Sequence, residues 1–126
     1  MTIDQAITRI DTLKANSYSR AQKIAWLSEL DGRIYHEIVL THEAPEGGYP
    51  EYEPYTAETA GGTELLAAYP YDEIYERYLA CQIDIANREI GFYQNDMALF
   101  NTAYKAYGDA YNRAHMPVQR VIQFDL

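Results

Sequence analysis

The apolar side chains at the start of the chain recur at helical spacing. They form one stripe of four residues: Ile3, Ile7, Ile10 and Leu13. Thr2 stands immediately before the stripe, where a hydroxyl side chain can cap the unpaired backbone N–H groups of a helix. The sequence therefore predicts a short first helix that ends near residues 15–17.

A second apolar stripe predicts a helix of about 20 residues that starts at Ser19 and runs to about Thr41. Its main positions follow steps of three or four residues: Ile24, Leu27, Leu30, Ile34 and Ile38. Ser19 and Gln22 have the spacing of a capping box, in which each side chain satisfies a backbone N–H of the other. Gly32 weakens the helix interior by about 1 kcal/mol relative to alanine, a cost that packing can offset.

Residues 44–70 have a different character, because prolines and glycines interrupt any helical pattern. These residues are Pro45, Gly47, Gly48, Pro50, Pro54, Gly61, Gly62 and Pro70. The stretch is too long for an ordinary connection, so it is either functional or disordered. We expect a long loop here.

The strongest pattern lies in the last third of the chain and predicts a third, long helix. Its apolar positions step alternately by four and three residues: Leu79, Ile83, Ala86, Ile90, Tyr93, Met97, Phe100, Tyr104, Tyr107 and Tyr111. Gly91 and Asn95 favour a break, since Asn95 can cap a new helix. We prefer an unbroken or merely kinked helix over residues 71–114, capped by Asp72, because a turn would normally reset the phase of the pattern.

Together these elements predict an all-α fold in a single domain over residues 1–126. A short N-terminal helix, a second helix and the long third helix pack as a small bundle, with the loop 44–70 between them. An extended tail, residues 117–126, follows Met116 and contains Val121, Ile122, Phe124 and Leu126. Chain termini are usually polar, so this apolar tail suggests that it docks on a surface.

The net charge of −9 is confined to one part of the chain. Residues 1–42 and 77–126 each carry five acids and five bases, whereas residues 43–76, which we call the acidic segment, contain acids and no Lys or Arg. These acids are Glu43, Glu46, Glu51, Glu53, Glu58, Glu64, Asp72, Glu73 and Glu76. Binding to a nucleic-acid backbone requires clustered basic residues, so we expect no attractive binding of DNA or RNA.

Candidate chemistry is sparse in this sequence. The three histidines, His36, His42 and His115, show no metal-ligand spacing, and Cys81 is best interpreted as a buried structural thiol. No serine lies in a nucleophile turn, and no glycine pair begins a phosphate loop. We therefore expect neither catalysis nor a cofactor or metal. The absence of a signal peptide and of a long apolar run favours a cytoplasmic protein without membrane contact.

Tyrosine is unusually common, with 13 residues in the chain. Six lie in the acidic segment and four lie on the long seam. Tyrosine serves either as a half-buried core residue or at contacts between subunits, where its ring buries area and its hydroxyl stays bonded. We favour a subunit interface for part of the seam and the tail: Tyr93, Met97, Phe100, Tyr104, Tyr107, Tyr111, Val121 and Phe124.

The acidic segment permits three interpretations. It is a solvated loop that aids solubility, a docking loop for a partner, or a wall that repels polyanions. The residues that would carry the last two roles are Glu46, Glu51, Glu53, Glu58 and Glu64.

The chain resembles the head–tail connector (adaptor) proteins of tailed phages, in particular small proteins of prophages from gut Firmicutes. The resemblance rests on residues 23–32 (KIAWLSELDG), 70–75 (PYDEIY), 82–90 (QIDIANREI), 97–101 (MALFN) and 111–117 (YNRAHMP). It covers most of residues 20–117, and none of these stretches is a mechanistic signature. The length and tyrosine content of residues 44–70 depart from the typical pattern.

The resemblance implies a structural virion protein without catalysis. Such subunits form a homo-oligomeric ring, commonly of twelve copies, that lies below the portal and joins the capsid to the tail. The partners would be further copies of the chain and the portal and tail proteins, with the chain monomeric in isolation if the ring forms only on the portal. Its location would be the bacterial cytoplasm before assembly and the virion afterwards. The alternative is an acidic binding module that mimics DNA and engages a basic partner.

Overall fold

The computed structural model describes residues 1–118 and has an all-α fold, as the sequence predicts. Within that range lie four α-helices and one short 3-10 helix. They are α1 (Ile3–Leu13), α2 (Arg20–Glu37), the 3-10 helix Val39–Thr41, α3 (Glu73–Ala86) and α4 (Ile90–Ala114). None of these helices is long and apolar enough to span a membrane.

The N-terminal ends of α1 and α2 follow their capping residues. Thr2 Oγ1 accepts a 3.1 Å hydrogen bond from Gln5 N, and Gln5 Oε1 accepts one of 2.9 Å from Thr2 N, which completes a capping box. Ser19 Oγ accepts a 3.1 Å hydrogen bond from Gln22 N, which confirms the predicted bond from the Gln22 backbone to the Ser19 side chain. Helix α2 ends earlier than predicted, at Glu37, and the chain tightens into the 3-10 helix that ends at Thr41.

The prediction of one unbroken third helix is wrong. Helix α3 ends in a Schellman motif, in which Glu89 N donates to Asp84 O over 2.9 Å and Arg88 N donates to Ile85 O over 3.1 Å. Arg88 takes the left-handed conformation that this motif requires, with φ of 58°. The chain therefore reverses at residues 87–89, several residues before Asn95. Asp72 also does not cap α3 through its side chain, which instead lies 3.8 Å from the N-terminal amine.

Helices α3 and α4 form an antiparallel hairpin. The rings of Tyr78 and Phe100 lie 5.4 Å apart, and those of Tyr71, just before α3, and Tyr107 lie 6.3 Å apart. A step forward along α3 is thus matched by an equal step back along α4. The apolar seam continues through the turn in sequence, but the hairpin folds it back on itself. Both halves consequently face the same core, except at the turn, where Ala86 and Ile90 are exposed.

The core is centred on α3, which packs against α1, α2 and α4. Its large aliphatic side chains are fully buried: Ile3, Ile10, Ile24, Leu27, Leu30, Ile34, Ile74, Leu79 and Ile83. At the far end of α4 the chain pairs with the segment that follows α2. Glu43 N donates to Met116 O over 2.7 Å, and Val118 N donates to Thr41 O over 2.8 Å.

Candidate interaction surfaces

A buried carboxylate on α2 fastens the acidic segment to the bundle. Asp31 is 0% exposed, and its Oδ1 accepts a 2.6 Å hydrogen bond from the hydroxyl of Tyr75. Its Oδ2 accepts bonds from the hydroxyl of Tyr55 at 2.6 Å and from Leu66 N at 3.1 Å. Ala67 N in turn donates to the Tyr75 hydroxyl over 2.7 Å. One side chain thus joins α2, α3 and two parts of the loop 44–70.

Burial dominates the electrostatics of this anchor. Removal from water raises the pKa of Asp31, and the hydrogen bonds from Tyr55, Tyr75 and Leu66 offset part of that rise. Burial, followed by the nearby Asp31 charge, raises the pKa of both Tyr55 and Tyr75. The two tyrosines therefore remain protonated donors at neutral pH.

Further contacts hold the loop 44–70 along α2. The Tyr52 hydroxyl donates to Ser28 O over 3.0 Å, and Ser28 Oγ accepts a 2.9 Å bond from Tyr55 N. The Tyr52 hydroxyl lies 3.3 Å from the position that a Cβ atom would take at Gly32. The glycine inside α2 therefore gives the loop room for a close approach.

The later part of the same loop is fixed to α1 by backbone hydrogen bonds. Ile3 N donates to Thr63 O over 3.1 Å, Asp4 N donates to Gly61 O over 3.0 Å, and Leu65 N donates to Met1 O over 2.9 Å. With Leu65 and Ala67 buried in the core, the loop is a packed part of the fold.

This packed loop turns most of its carboxylates to solvent. All five acids that the sequence singles out are exposed: Glu46, Glu51, Glu53, Glu58 and Glu64. Glu43 and Glu73 are exposed as well, whereas Asp72 and Glu76 are half-buried. Glu64 lies 3.3 Å from the N-terminal amine. The acidic segment is therefore a charged surface on a fixed backbone.

The end of the acidic segment borders an open groove of about 1050 Å³ against α1. Arg9 pairs with Glu76 across it at 3.4 Å, and Tyr69 and Leu13 stand exposed along it. The remaining acids of its wall are Asp4, Asp72 and Glu73. Carboxylates thus outnumber cations in the groove.

The predicted interface residues of α4 lie on its inward face. Phe100 and Tyr107 are buried at 4% and 6% exposure in the core of the chain itself, where they offer little area to a partner. The other four described candidates pack against the core while half-buried: Tyr93, Met97, Tyr104 and Tyr111. Val121 and Phe124 lie outside the described residues.

The outward face of α4 carries exposed apolar side chains that are not among the predicted interface residues. Phe92 is 63% exposed and Leu99 is 41% exposed, and Ile90 and Ile85 flank the nearby turn at 68% and 53%. The apolar period of the seam is stronger than any pattern on the outward face, so it marks the inward face alone. A signal exists in the lack of charge between Glu89 and Lys105, where Asp96 is the one Asp, Glu, Lys or Arg.

Comparison of the chain with protein-family models, with curated proteins and with solved structures finds no match. Its function is therefore inferred from its own surfaces and from the resemblance described above.

A charged cluster lies where α1 meets the α3–α4 hairpin. Lys14 Nζ bridges the carboxylates of Asp84 and Asp96, at 3.1 Å from Asp96 Oδ2, and lies 5.4 Å from the centre of the Phe92 ring. Asp84 is fully buried, and its Oδ2 has no hydrogen-bond partner. The position of Lys14 between the two acids indicates a structural bridge between α1 and the hairpin.

The pKa values within this cluster diverge. Burial, followed by the close approach of the Asp96 carboxyl group, raises the pKa of Asp84. Burial would also raise the pKa of Asp96, but its contacts with Asp84 and Lys14 outweigh that and lower it. For Lys14 the two carboxylates outweigh desolvation and raise the pKa, so the bridging amine stays charged.

The other candidate groups are built into the fold. Cys81 is 1% exposed, as predicted, and burial raises the pKa of its thiol to about 11. His42 is buried, with Nδ1 2.5 Å from Ile38 O and Nε2 2.6 Å from Asn112 Oδ1. Over residues 1–118, no three His, Cys, Asp or Glu side chains are grouped so as to hold a metal ion.

Proposed function

We propose that this protein is a structural subunit of a phage head–tail connector, without catalytic activity, that assembles below the portal and joins capsid to tail. The resemblance over residues 20–117 supports this role. The compact helical fold, the packed loop and the apolar surface at the α3–α4 turn suit a protein that works through contacts with neighbours.

The observation that carries the proposal is the fixed acidic segment. Seven of its nine carboxylates are exposed on a backbone that Asp31 and α1 hold in place. A surface past which DNA must move benefits from negative charge, because like charges discourage adhesion. A fixed backbone keeps that charge in a defined position on the subunit, which a channel wall requires.

Deletion of the gene in a lysogen that encodes this chain tests the proposal. After induction, we expect filled heads and free tails that fail to join, seen by electron microscopy of the lysate. Purified wild-type particles should contain the chain by mass spectrometry. Joined, infectious particles from the deletion strain would overturn the proposal, as would absence of the chain from wild-type particles.

The exposed carboxylates of the loop 44–70 favour a second candidate function, an acidic module that engages a basic partner. The groove beside α1 adds further carboxylates at the end of the same segment. This function predicts salt-sensitive capture of a basic protein that weakens when Glu46, Glu51, Glu53 and Glu58 are all changed to Gln. The control removes equal charge elsewhere, at Asp11, Glu37, Glu89 and Asp109. Full binding by the first variant would exclude this function.

A further inference from the structure

The outward face of α4 is uncharged over about 13 residues, or roughly 20 Å of helix. Between Glu89 and Lys105 its exposed positions are apolar, small or amide residues: Ile90, Gly91, Phe92, Gln94, Asn95, Ala98, Leu99, Asn101 and Thr102. Asp96, the one acid in this stretch, turns inward to Lys14. Such a face is unusual on a chain with a net charge of −9.

Large apolar side chains rise from this face. Phe92 and Leu99 are seven residues apart and so share one edge of the helix, at 63% and 41% exposure. Ile90, at 68%, and Ile85, at 53%, lie at the turn that begins α4. Exposed large apolar side chains beside a stretch that exposes no charge are typical of a protein contact site.

The charges at the two ends of the face indicate which partner fits it. Arg88 and Glu89 lie at one end, and Lys105, which is 78% exposed and pairs with Asp109 Oδ2 at 2.7 Å, lies at the other, so each end carries both signs. When two α4 helices pack antiparallel about residue 97, each Glu89 lies at the same level along the helix pair as a Lys105 of the second copy. Because the contact between these ends is uncharged, two strongly acidic chains can meet there without opposing carboxylates.

We propose that a second copy of this chain docks on the outward face of α4, with the two α4 helices antiparallel. Gly91, Asn95, Ala98 and Thr102 lie along the centre of the contact and allow the helix axes to approach to about 8 Å. Phe92 and Leu99 of both copies then adjoin along one edge. A stable contact buries about 800 Å² per partner, so Ile85 and the turn must take part along with the helix face.

The pairing goes beyond the proposed function. A twofold contact closes as a dimer, whereas a ring requires head-to-tail contacts between different surfaces. Dimerisation of the free chain and joining of heads to tails are therefore separate properties. Failure of the test of one proposal does not contradict the other proposal.

Sedimentation equilibrium of the full chain from about 1 μM to about 1 mM tests the pairing. We expect reversible association to twice the monomer mass of 14.5 kDa. Leu99→Glu should weaken the dimer by about tenfold or more, because it places two carboxylates inside the contact. Leu40→Glu is the matched control: Leu40 is 37% exposed on the 3-10 helix, whose neighbour His42 contacts the far end of α4 at Asn112 rather than residues 90–105, and this variant should dimerise as the wild type does.

Charge reversal tests the antiparallel arrangement. Glu89→Lys and Lys105→Glu should each weaken the dimer, and the double variant should restore it. Circular dichroism of each variant verifies that the helices persist, so that lost association is not mistaken for unfolding.

Three results would overturn the proposal. The first is a wild-type chain that stays monomeric over the whole concentration range. The second is a folded Leu99→Glu variant that dimerises as tightly as the wild type. The third is loss of the dimer in the full-length double variant Val121→Glu/Phe124→Glu, which would identify the tail as the occupant of the face.

Discussion

The Tyr75 hydroxyl donates a 2.6 Å hydrogen bond to Asp31 Oδ1 and accepts one of 2.7 Å from Ala67 N. This single oxygen therefore links the second helix, the third helix and the loop between them. All three groups are buried, so each depends on the others for its hydrogen bonds. The anchored loop is the feature on which the proposed role of the acidic segment depends.

Replacement of Tyr75 by Phe should destabilise the fold by about 1–3 kcal/mol, because Ala67 N–H and Asp31 Oδ1 each lose a buried partner. Tyr55→Phe should cost less, since Asp31 Oδ2 keeps its bond from Leu66 N. Urea denaturation followed by circular dichroism measures both. Tyr69→Phe, at a side chain that is 86% exposed, is the control and should be neutral. Equal stability of Tyr75→Phe and Tyr69→Phe would contradict the importance of the anchor.

Asp31 should make stability depend on pH in a defined direction. Its folded pKa lies above the ordinary 3.8 because of burial, so the folded state binds a proton more tightly than the unfolded state does. The stability that this proton contributes is present below pH 3.8 and is lost as the pH rises through the folded pKa. The stability of the wild type relative to Asp31→Asn, which does not titrate, should therefore increase as the pH falls from 7 towards 4.

Asp11 provides the control of opposite sign for that measurement. Slight burial would raise its pKa, but the hydrogen bonds from Lys23 and Asn16 outweigh burial and lower it. The stability of the wild type relative to Asp11→Asn should therefore decrease as the pH falls. Slopes of the same sign for Asp31 and Asp11 would contradict the assigned directions.

Lys14→Met should destabilise the fold by about 2–4 kcal/mol, because it leaves the buried Asp84 carboxylate beside Asp96 without a cation. Asp84→Asn in the same chain removes that charge and should recover part of the loss. A double-mutant cycle by urea denaturation gives the coupling between the two residues. Additive effects would show that Lys14 does not stabilise the Asp84 carboxylate.

Arg88→Gly should stabilise the fold by about 1 kcal/mol, because Arg88 holds a left-handed backbone with φ of 58° that glycine adopts without strain. Arg88→Ala removes the same side chain and keeps the strain, so it is the matched control and should bring no such gain. Thermal unfolding compares the two. A glycine variant less stable than the alanine variant would contradict a strained turn at this position.

Local patterns in the sequence are sufficient for the starts of α1 and α2. Thr2 and Ser19 cap α1 and α2 because short-range hydrogen bonds decide where a helix begins. The break between α3 and α4 was missed because its decisive residue is Arg88, where a glycine would have signalled a left-handed cap. Because the turn spans only three residues, the apolar positions of α3 and α4 continue the same alternation of four- and three-residue steps, as they would in one helix.

The sites that matter most for the proposals depend on long-range contacts that periodicity cannot reveal. Asp31 meets Tyr55 and Tyr75, which lie 24 and 44 residues away in sequence. Lys14 meets Asp84 across 70 residues. The seam correctly marks α4 as amphipathic, but a period alone does not distinguish a face that packs within the chain from one that meets a partner.

The pairing of Glu43 with Met116 and of Val118 with Thr41 has a mechanical consequence. Both hydrogen bonds join two antiparallel segments, so a pull on the chain beyond Val118 loads them as well as the end of α4 at Ala114. Through the bonds the tension reaches residues 41–43, where the acidic segment begins. A load on the tail would thus act both on α4 and on the point where the charged surface is attached.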